Sequence, residues 1–197
     1  MSKAKIYSKT QEIGEAVLSV GDFTMGGIVG KFYPNEYYIA EIQPLVWKYW
    51  DNYEQDQQSF FSDKLQLEVQ LENGLFLLPL GGIFLEDFLD EEPSKRLEIS
   101  GVDTFLIEKY IFENEPPTLK SHWQSISISE KKSLEQLFRK AHFKNGFDSK
   151  NFSAIFKNQS GEIAFEIQHS QLQKRFCIVS EENMTNLQEV DFKEFIK

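Results

Sequence analysis

The strongest constraint on the fold is a stretch of strict alternation near the middle of the chain. Apolar and polar residues alternate from Leu65 to Glu72 in the sequence LQLEVQLE. Successive side chains of a strand point to opposite faces, so this pattern predicts a strand with one buried and one solvated face. Asn73-Gly74 follows, and this pair tolerates the positive φ angles of a two-residue hairpin turn. We therefore expect residues 64–71 to pair antiparallel with residues 75–78, with Leu67 and Val69 buried.

Other segments have the composition of strands but weaker alternation. Apolar, β-branched and aromatic residues between turn signals predict strands at 13–20, 23–33, 36–43, 96–99, 104–112, 152–156, 162–168 and 175–179. Gly26, Gly27 and Gly30 interrupt the second of these, which indicates a bend or a close approach of the backbone. Residues 44–62 fit either a helix or a strand, with a helix favoured for the glutamine-rich part.

Helical periodicity is clearest after Ser129, which is a good N-cap residue. Leu134, Leu137, Phe138 and Ala141 form the expected apolar stripe, and Asn145-Gly146 is expected to end the helix. A short amphipathic helix is predicted at 83–92. A terminal helix at 186–197 is predicted to bury Phe192 and Phe195.

These elements predict an α+β fold, because the strands occur in runs rather than alternating with helices. We expect a strand-rich antiparallel meander, a central helix, a small second three-stranded meander and a C-terminal helix. Pro116-Pro117 marks the best linker. The division is then a strand-rich lobe at 1–113 and a second lobe at 120–197, or one continuous domain.

The charge balance limits the classes of partner. The chain has 31 acidic and 21 basic residues, a formal net charge of -10. A field of this sign repels nucleic acids and anionic membranes and favours a basic protein partner. The first ten residues lack the apolar segment of a secretory signal, and no run of about 18 apolar residues occurs, so a cytoplasmic protein is expected.

Residue types that carry catalysis or bind metals are sparse and badly spaced. Cys177 is the single cysteine, and its position in an apolar strand predicts a buried structural thiol. The three histidines are not spaced as a local metal pair. Gly26-Gly27-x-x-Gly30 lacks the Lys-Ser/Thr pair of a phosphate-binding loop. The sequence thus predicts no catalytic residues, no metal site and no cofactor.

Two segments combine aromatic rings with carboxylates, at 47–56 and 86–92. Rings supply contact area at interfaces, and carboxylates pair with lysine or arginine. The candidate contacts with a basic partner are Trp47, Trp50, Asp51, Glu54, Asp56, Glu86, Asp87, Asp90, Glu91 and Glu92.

Two functions fit these observations. The first is a non-enzymatic acidic binding protein that occludes a basic protein partner, in its most concrete form a bacterial immunity protein that neutralises a toxin acting in the cytoplasm. The alternative is a small-ligand-binding or enzymatic protein with a pocket in the strand-rich N-terminal lobe. Trp47, Trp50 and the glycine-rich strand would line that pocket.

Overall fold

The computed structural model describes residues 2–51, 60–88, 95–112, 119–142, 152–168 and 175–195. It shows an α+β protein with two antiparallel sheets, which confirms the predicted fold class. The chain forms two compact units. The first comprises Met1–Glu72 and Pro79–Glu115, and the second comprises Asn73–Leu78 and Pro116–Lys197. The second unit therefore includes a segment that the sequence assigned to the first lobe.

The first unit is built on a six-stranded sheet within the described residues. Its strands are β1 Ser2–Ser8, β2 Gln11–Val20, β3 Ile28–Pro34, β4 Leu67–Leu71, β5 Gly82–Glu86 and β6 Arg96–Ser100. They lie in the order β4-β1-β2-β3-β6-β5. Ile6, Leu18, Ile28 and Leu97 are fully buried on one face, while the alternate residues face outward. Strand β1 was missed in the sequence because lysines occupy its outward positions.

Residues 36–43 and 104–112, predicted as strands, are helical. A π-helical turn at Tyr38–Ile42 leads into α1 at Gln43–Asp51, and Asn35 Oδ1 accepts a hydrogen bond from Tyr38 N at 3.0 Å. Helix α2 spans Thr104–Ile107 and continues as a π-helical turn at Glu108–Phe112. Asp103 Oδ1 accepts a hydrogen bond from Phe105 N at 2.9 Å. These side-chain caps favour a helical start over an extended chain.

The ambiguity at residues 44–62 is resolved in favour of helix where the structure describes the chain. Helix α1 covers its beginning, and a π-helical turn at Phe60–Leu65 covers its end. The helix predicted at 83–92 is wrong in its first half, because Gly82–Glu86 is strand β5. Its pairing with β6 buries Ile83 and Leu85, whose two-residue spacing belongs to a strand.

The predicted hairpin across Asn73-Gly74 is wrong, although Leu67 and Val69 are buried as expected. Strand β4 pairs with β1, with Leu71 opposite Ala4. Asn73 Oδ1 accepts a hydrogen bond from Leu75 N at 2.9 Å, and Gly74 has a φ of 86°. The chain therefore turns locally as predicted, but the apolar residues that follow it belong to the second unit.

The second unit has a five-stranded antiparallel sheet and one long helix within the described residues. The strands are β7 Trp123–Ser125, β8 Phe152–Asn158, β9 Glu162–Ile167, β10 Phe176–Ser180 and β11 Asn183–Val190, in the order β11-β10-β9-β8-β7. Helix α3, Ile128–His142, packs against β8 and β11 and confirms the predicted central helix. Leu134 and Phe138 are buried, but Leu137 and Ala141 are exposed.

The predicted C-terminal helix is wrong. Strand β11 runs through residues 186–190 of that segment and pairs with β10, and a single 3-10 turn follows at Phe192–Glu194. Phe192 and Phe195 are nevertheless buried, which confirms that prediction. Their rings pack against Phe156 and Phe176, so hydrophobic burial was predicted correctly while the backbone conformation was not.

In the portion of the chain covered by the structure, every helix is too short or too polar to reach across a bilayer.

Candidate binding surfaces

Asp87 forms the centre of a buried hydrogen-bond network in the first unit. It follows β5, and its side chain is 3% exposed. Its carboxylate accepts hydrogen bonds from Tyr38 Oη at 2.7 Å, Gln43 Nε2 at 3.0 Å, Trp47 Nε1 at 3.3 Å and Lys95 Nζ at 2.9 Å. The network ties the first helical segments to the ends of β5 and β6. Asp87 was predicted to contact a partner, but its oxygens are already used inside the unit.

The network also fixes the charge of this carboxylate. Burial alone would raise the pKa of Asp87, but the hydrogen bonds from Tyr38, Lys95, Gln43 and Trp47 outweigh burial and hold that pKa below its usual value. Burial, together with the hydrogen bond to the Asp87 carboxylate, raises the pKa of Tyr38 far above the ordinary value for a phenol. Asp87 is therefore ionised and Tyr38 is neutral at physiological pH.

The two tryptophans predicted as contacts both donate their indole N–H to groups within the first unit. Trp47 bonds Asp87, and Trp50 Nε1 donates to the backbone oxygen of Leu85 at 3.0 Å, on the edge strand β5. The Trp50 ring packs with Tyr49, Phe61 and Phe88 at centroid distances of 5.0 to 6.1 Å. An edge strand with unpaired carbonyls invites association with other chains, so this aromatic cluster protects β5.

Of the remaining predicted contacts, two lie at the surface and five lie outside the described residues. Asp51 is exposed at the end of α1, and Glu86 Oε2 lies 3.7 Å from Arg96 Nε on the outer face of the sheet. Glu54, Asp56, Asp90, Glu91 and Glu92 lie outside the described residues.

The two units differ sharply in charge. By sequence, the first unit contains 9 basic and 21 acidic residues, a formal charge of -12, and the second contains 12 basic and 10 acidic residues, +2. The two values add to the net charge of -10 of the chain. The net negative charge of the chain thus comes entirely from the first unit.

An exposed apolar cluster lies on this acidic unit. Phe23 and Met25 are 42% and 70% exposed in a 3-10 turn, and Phe105 is 41% exposed in α2. Backbone hydrogen bonds from Gly101 N to Met25 O and from Val102 N to Gly26 O hold the two turns side by side. Their capping residues are Asp22 and Asp103. We call Phe23, Met25, Phe105, Asp22 and Asp103 the apolar-acidic patch.

The first turn of the patch is conformationally well defined. Asp22 Oδ1 accepts hydrogen bonds from Thr24 N, Met25 N and Thr24 Oγ1 at 3.0, 3.3 and 2.6 Å, which lower the pKa of Asp22. Gly26 closes the turn with a φ of 65°, a conformation that favours glycine. The sequence contains this signal, an aspartate four residues before a glycine, but the strand predicted at 23–33 covers the turn, which in the structure precedes β3.

A groove of about 420 Å³ opens on the outer face of the first unit's sheet. Residues of β2 and β3 and the start of β6 line it, among them Lys31, Lys95 and Arg96. Val29, Gly30, Lys31 and Tyr33 of the glycine-rich strand line part of this groove. Trp47 and Trp50 do not line it, which corrects that part of the hypothesis, because both rings belong to the packing around Asp87 and β5.

Cys177 and His142 of the second unit are both buried. Cys177 is fully buried, and burial, with a smaller contribution from the charge of Glu189, raises the pKa of its thiol to about 12. His142 is buried at the end of α3, where its Nε2 lies 2.7 Å from the Met184 carbonyl oxygen. Among the described residues, His, Cys, Asp and Glu side chains do not gather in threes in a way that could hold a metal ion.

Comparisons with known proteins give no family for this chain. No family model matches it, and no match was found among curated proteins or solved structures.

Proposed function

We propose that the protein is a binding protein whose acidic first unit docks a basic protein partner through the apolar-acidic patch. The observation that carries the proposal is the coincidence of two features on one unit. The first unit has a charge of -12, and it exposes three large apolar side chains that two aspartates flank.

The two features support different steps of binding. Carboxylates attract a basic surface over several ångströms and speed the encounter, while affinity depends on a few large apolar side chains that become desolvated. Methionine and phenylalanine are enriched at interfaces relative to the rest of protein surfaces. The Met25 side chain, 70% exposed, is flexible enough to fit an irregular partner surface.

The most concrete form of this proposal is an immunity protein of a bacterium, which occludes a basic toxin in the cytoplasm. A basic enzyme that acts on nucleic acid carries a positive surface, and an acidic inhibitor can cover that surface by charge complementarity. This form is tested by co-expressing the chain with toxin genes encoded next to it and measuring cell growth.

The docking surface itself is tested by affinity purification from the host at low and high salt. Three baits are compared: the wild-type protein, the double variant Met25→Ser/Phe105→Ser and the single variant Leu137→Ser. Leu137 is a matched control, because it is 42% exposed but lies on α3 of the second unit. We expect a basic partner to be retained by the wild type and by Leu137→Ser and to be lost from the patch variant.

Kinetics with the purified partner then separate charge from apolar contact. Raising the salt concentration should slow association, because screening shortens the range of the acidic field. The patch variant should instead dissociate faster, by about thirtyfold if the two side chains contribute ~2 kcal/mol. A partner that binds the patch variant as tightly as the wild type would show that the interface lies elsewhere, and a salt-independent association rate would contradict the role of charge.

A further inference from the structure

The groove on the outer face of the first unit's sheet has an electrostatic character opposite to that of the unit around it. It is lined by Val17, Val29, Lys31, Tyr33, Lys95 and Arg96, among others. The first unit has 9 basic and 21 acidic residues, yet three of the basic residues and none of the acidic residues line this groove. A random sampling of the unit's charges would give more carboxylates than cations.

Strand register explains how the cations meet. Lys31 of β3 lies directly opposite Arg96 of β6, and Val17 of β2 lies opposite Lys31 on the other side. Lys95 precedes β6, and its carbonyl accepts a hydrogen bond from Phe32 N at 2.8 Å. Outward side chains at directly opposite positions are close neighbours, so the Lys31 and Arg96 side chains meet from adjoining strands. The Lys95 side chain reaches the buried Asp87 instead. Lys31 and Arg96, 65 positions apart in the sequence, are brought together only by this pairing.

One of the three cations is already bound by a buried carboxylate, and the other two remain available to an anion. Lys95 Nζ is fixed by Asp87 at 2.9 Å, and Arg96 Nε lies 3.7 Å from Glu86 Oε2, a loose pair on an exposed side chain. Lys31 Nζ stands 5.3 Å from the centroid of the Tyr33 ring. Among the described residues Lys31 has no carboxylate within ion-pair distance, and the Tyr33 ring orients its ammonium group.

We propose that this groove binds a small organic anion that has an apolar body and a carboxylate, phosphate or sulfonate group. Arg96 supplies the planar donor pair that such groups accept, and Lys31 adds a second positive charge. Val17, Val29 and the half-exposed Tyr33 ring supply the apolar wall. The volume, about 420 Å³, lies within the ordinary range for ligand sites.

The acidic field of the unit does not oppose this binding strongly. Interactions between exposed charges are screened beyond roughly 8–10 Å at physiological ionic strength, whereas Lys31 and Arg96 would lie in contact with the anion. The acidic neighbours by register are Glu86, opposite Arg96, Glu15, opposite Tyr33, and Glu98, opposite Val29. They border the groove, and they favour a ligand with a single anionic group over a polyanion.

The probe pair for the test is anilinonaphthalene sulfonate and its uncharged analogue phenylnaphthylamine. Both fluoresce when an apolar site covers them, and they differ in the sulfonate. We expect the wild-type protein to bind the sulfonate at least about tenfold more tightly than the uncharged analogue. The double variant Lys31→Gln/Arg96→Gln should weaken sulfonate binding by about tenfold or more and leave the analogue unchanged.

The control is Lys9→Gln, which removes an exposed lysine of the same unit at the turn between β1 and β2. It should leave the affinity for both probes unchanged. Circular dichroism and thermal unfolding of each variant show whether the fold is intact. Equal affinity of the wild type for the two probes, or sulfonate binding that survives Lys31→Gln/Arg96→Gln, would overturn the proposal, as would the absence of sulfonate binding to the wild type.

Discussion

Each unit buries carboxylates that are paired with lysine or arginine. Asp87 bonds Lys95 in the first unit, and Glu135 bonds Lys131 one helical turn away in the second. The second unit also buries Glu166, whose Oε1 accepts from Arg175 Nε at 2.6 Å. The desolvation of two ions offsets much of their attraction, so such pairs add little net stability. Removing one partner is costly, however, because the other charge is left buried.

Asp87→Asn is therefore expected to lower the free energy of unfolding by about 3 kcal/mol at neutral pH. The variant removes the charge that faces Lys95 and weakens four hydrogen bonds. Urea denaturation measures the effect. Glu98→Gln, at an exposed carboxylate on β6, should change stability by less than about 0.5 kcal/mol.

The pH dependence of stability provides a second test of the same residue. The pKa of Asp87 is lowered in the folded state, so its ionised form stabilises the fold above the unfolded pKa of about 4. This contribution is lost as the pH falls through the folded pKa. We expect the stability of the wild type to decline more steeply below about pH 4 than that of Asp87→Asn. Parallel profiles would contradict the buried ionised carboxylate.

Cys177 is expected to be unreactive in the native protein. Its thiol is fully buried, and a pKa of about 12 leaves almost no thiolate at pH 8. A disulfide reagent with a chromophoric leaving group should label the protein only after denaturant is added. Because the chain has one cysteine, the yield on unfolding is one equivalent. Rapid labelling of the native protein would show that this strand opens locally.

At the scale of elements, the apolar-acidic patch depends on a glycine at a single turn. A Cβ on Gly26 would lie 2.3 Å from the Val102 carbonyl oxygen, and the φ of 65° strains any other residue. Gly161 has a φ of 80° but no atom within 4 Å of the same position. The two glycines thus share backbone strain and differ in steric contact.

Gly161→Ala is expected to destabilise the protein by about 1 kcal/mol, the cost of a left-handed backbone conformation. Gly26→Ala should cost at least about 2 kcal/mol more, because the clash is with backbone and the turn must move. Thermal and urea unfolding of both variants measure the difference. Equal losses would mean that the turn carrying Phe23 and Met25 adapts freely.

Phe195 is the anchor of the C-terminal segment. Its ring is fully buried and packs edge-on against Trp123 at a centroid distance of 5.1 Å. Phe195→Ala should lower the free energy of unfolding by about 3–5 kcal/mol. Leu137→Ala, at an exposed position, should cost far less. Equal stability of the two variants would identify the segment as a peripheral appendage.

The sequence predicted which side chains are buried better than it predicted which strands pair or whether a segment is helix or strand. Leu67, Val69, Phe192 and Phe195 are all buried as expected, because hydrophobic pattern reports directly on solvent exclusion. The hairpin at Asn73-Gly74 and the helix at the C-terminus failed because pairing of β4 with β1 and of β11 with β10 involves residues that local periodicity does not reveal. Asp87 looked like one exposed carboxylate among many, and its burial depends on donors 8 to 49 positions away.

At the scale of the molecule, charge segregation has a measurable consequence. A short oligolysine peptide, coupled by a zero-length carbodiimide, should cross-link to carboxylates of the first unit in excess of the 21:10 ratio of acidic residues between the units. Added salt should reduce the yield and the bias together. Cross-links distributed in proportion to the number of carboxylates, unaffected by salt, would contradict a directing acidic surface.

The path of the chain between Glu72 and Pro79 bears on biosynthesis. The segment Asn73–Leu78 emerges from the ribosome before the rest of the second unit has been translated. Its apolar side chains are buried in the finished protein: Leu75, Phe76, Leu77 and Leu78. During synthesis these side chains stay exposed until the residues that cover them have been translated. Until the second unit is complete, the nascent chain can therefore aggregate or be bound by chaperones through this segment. The same path means that no single cut in the gene yields either unit whole, and dissecting the protein requires a circular permutation or a linker that replaces these six residues.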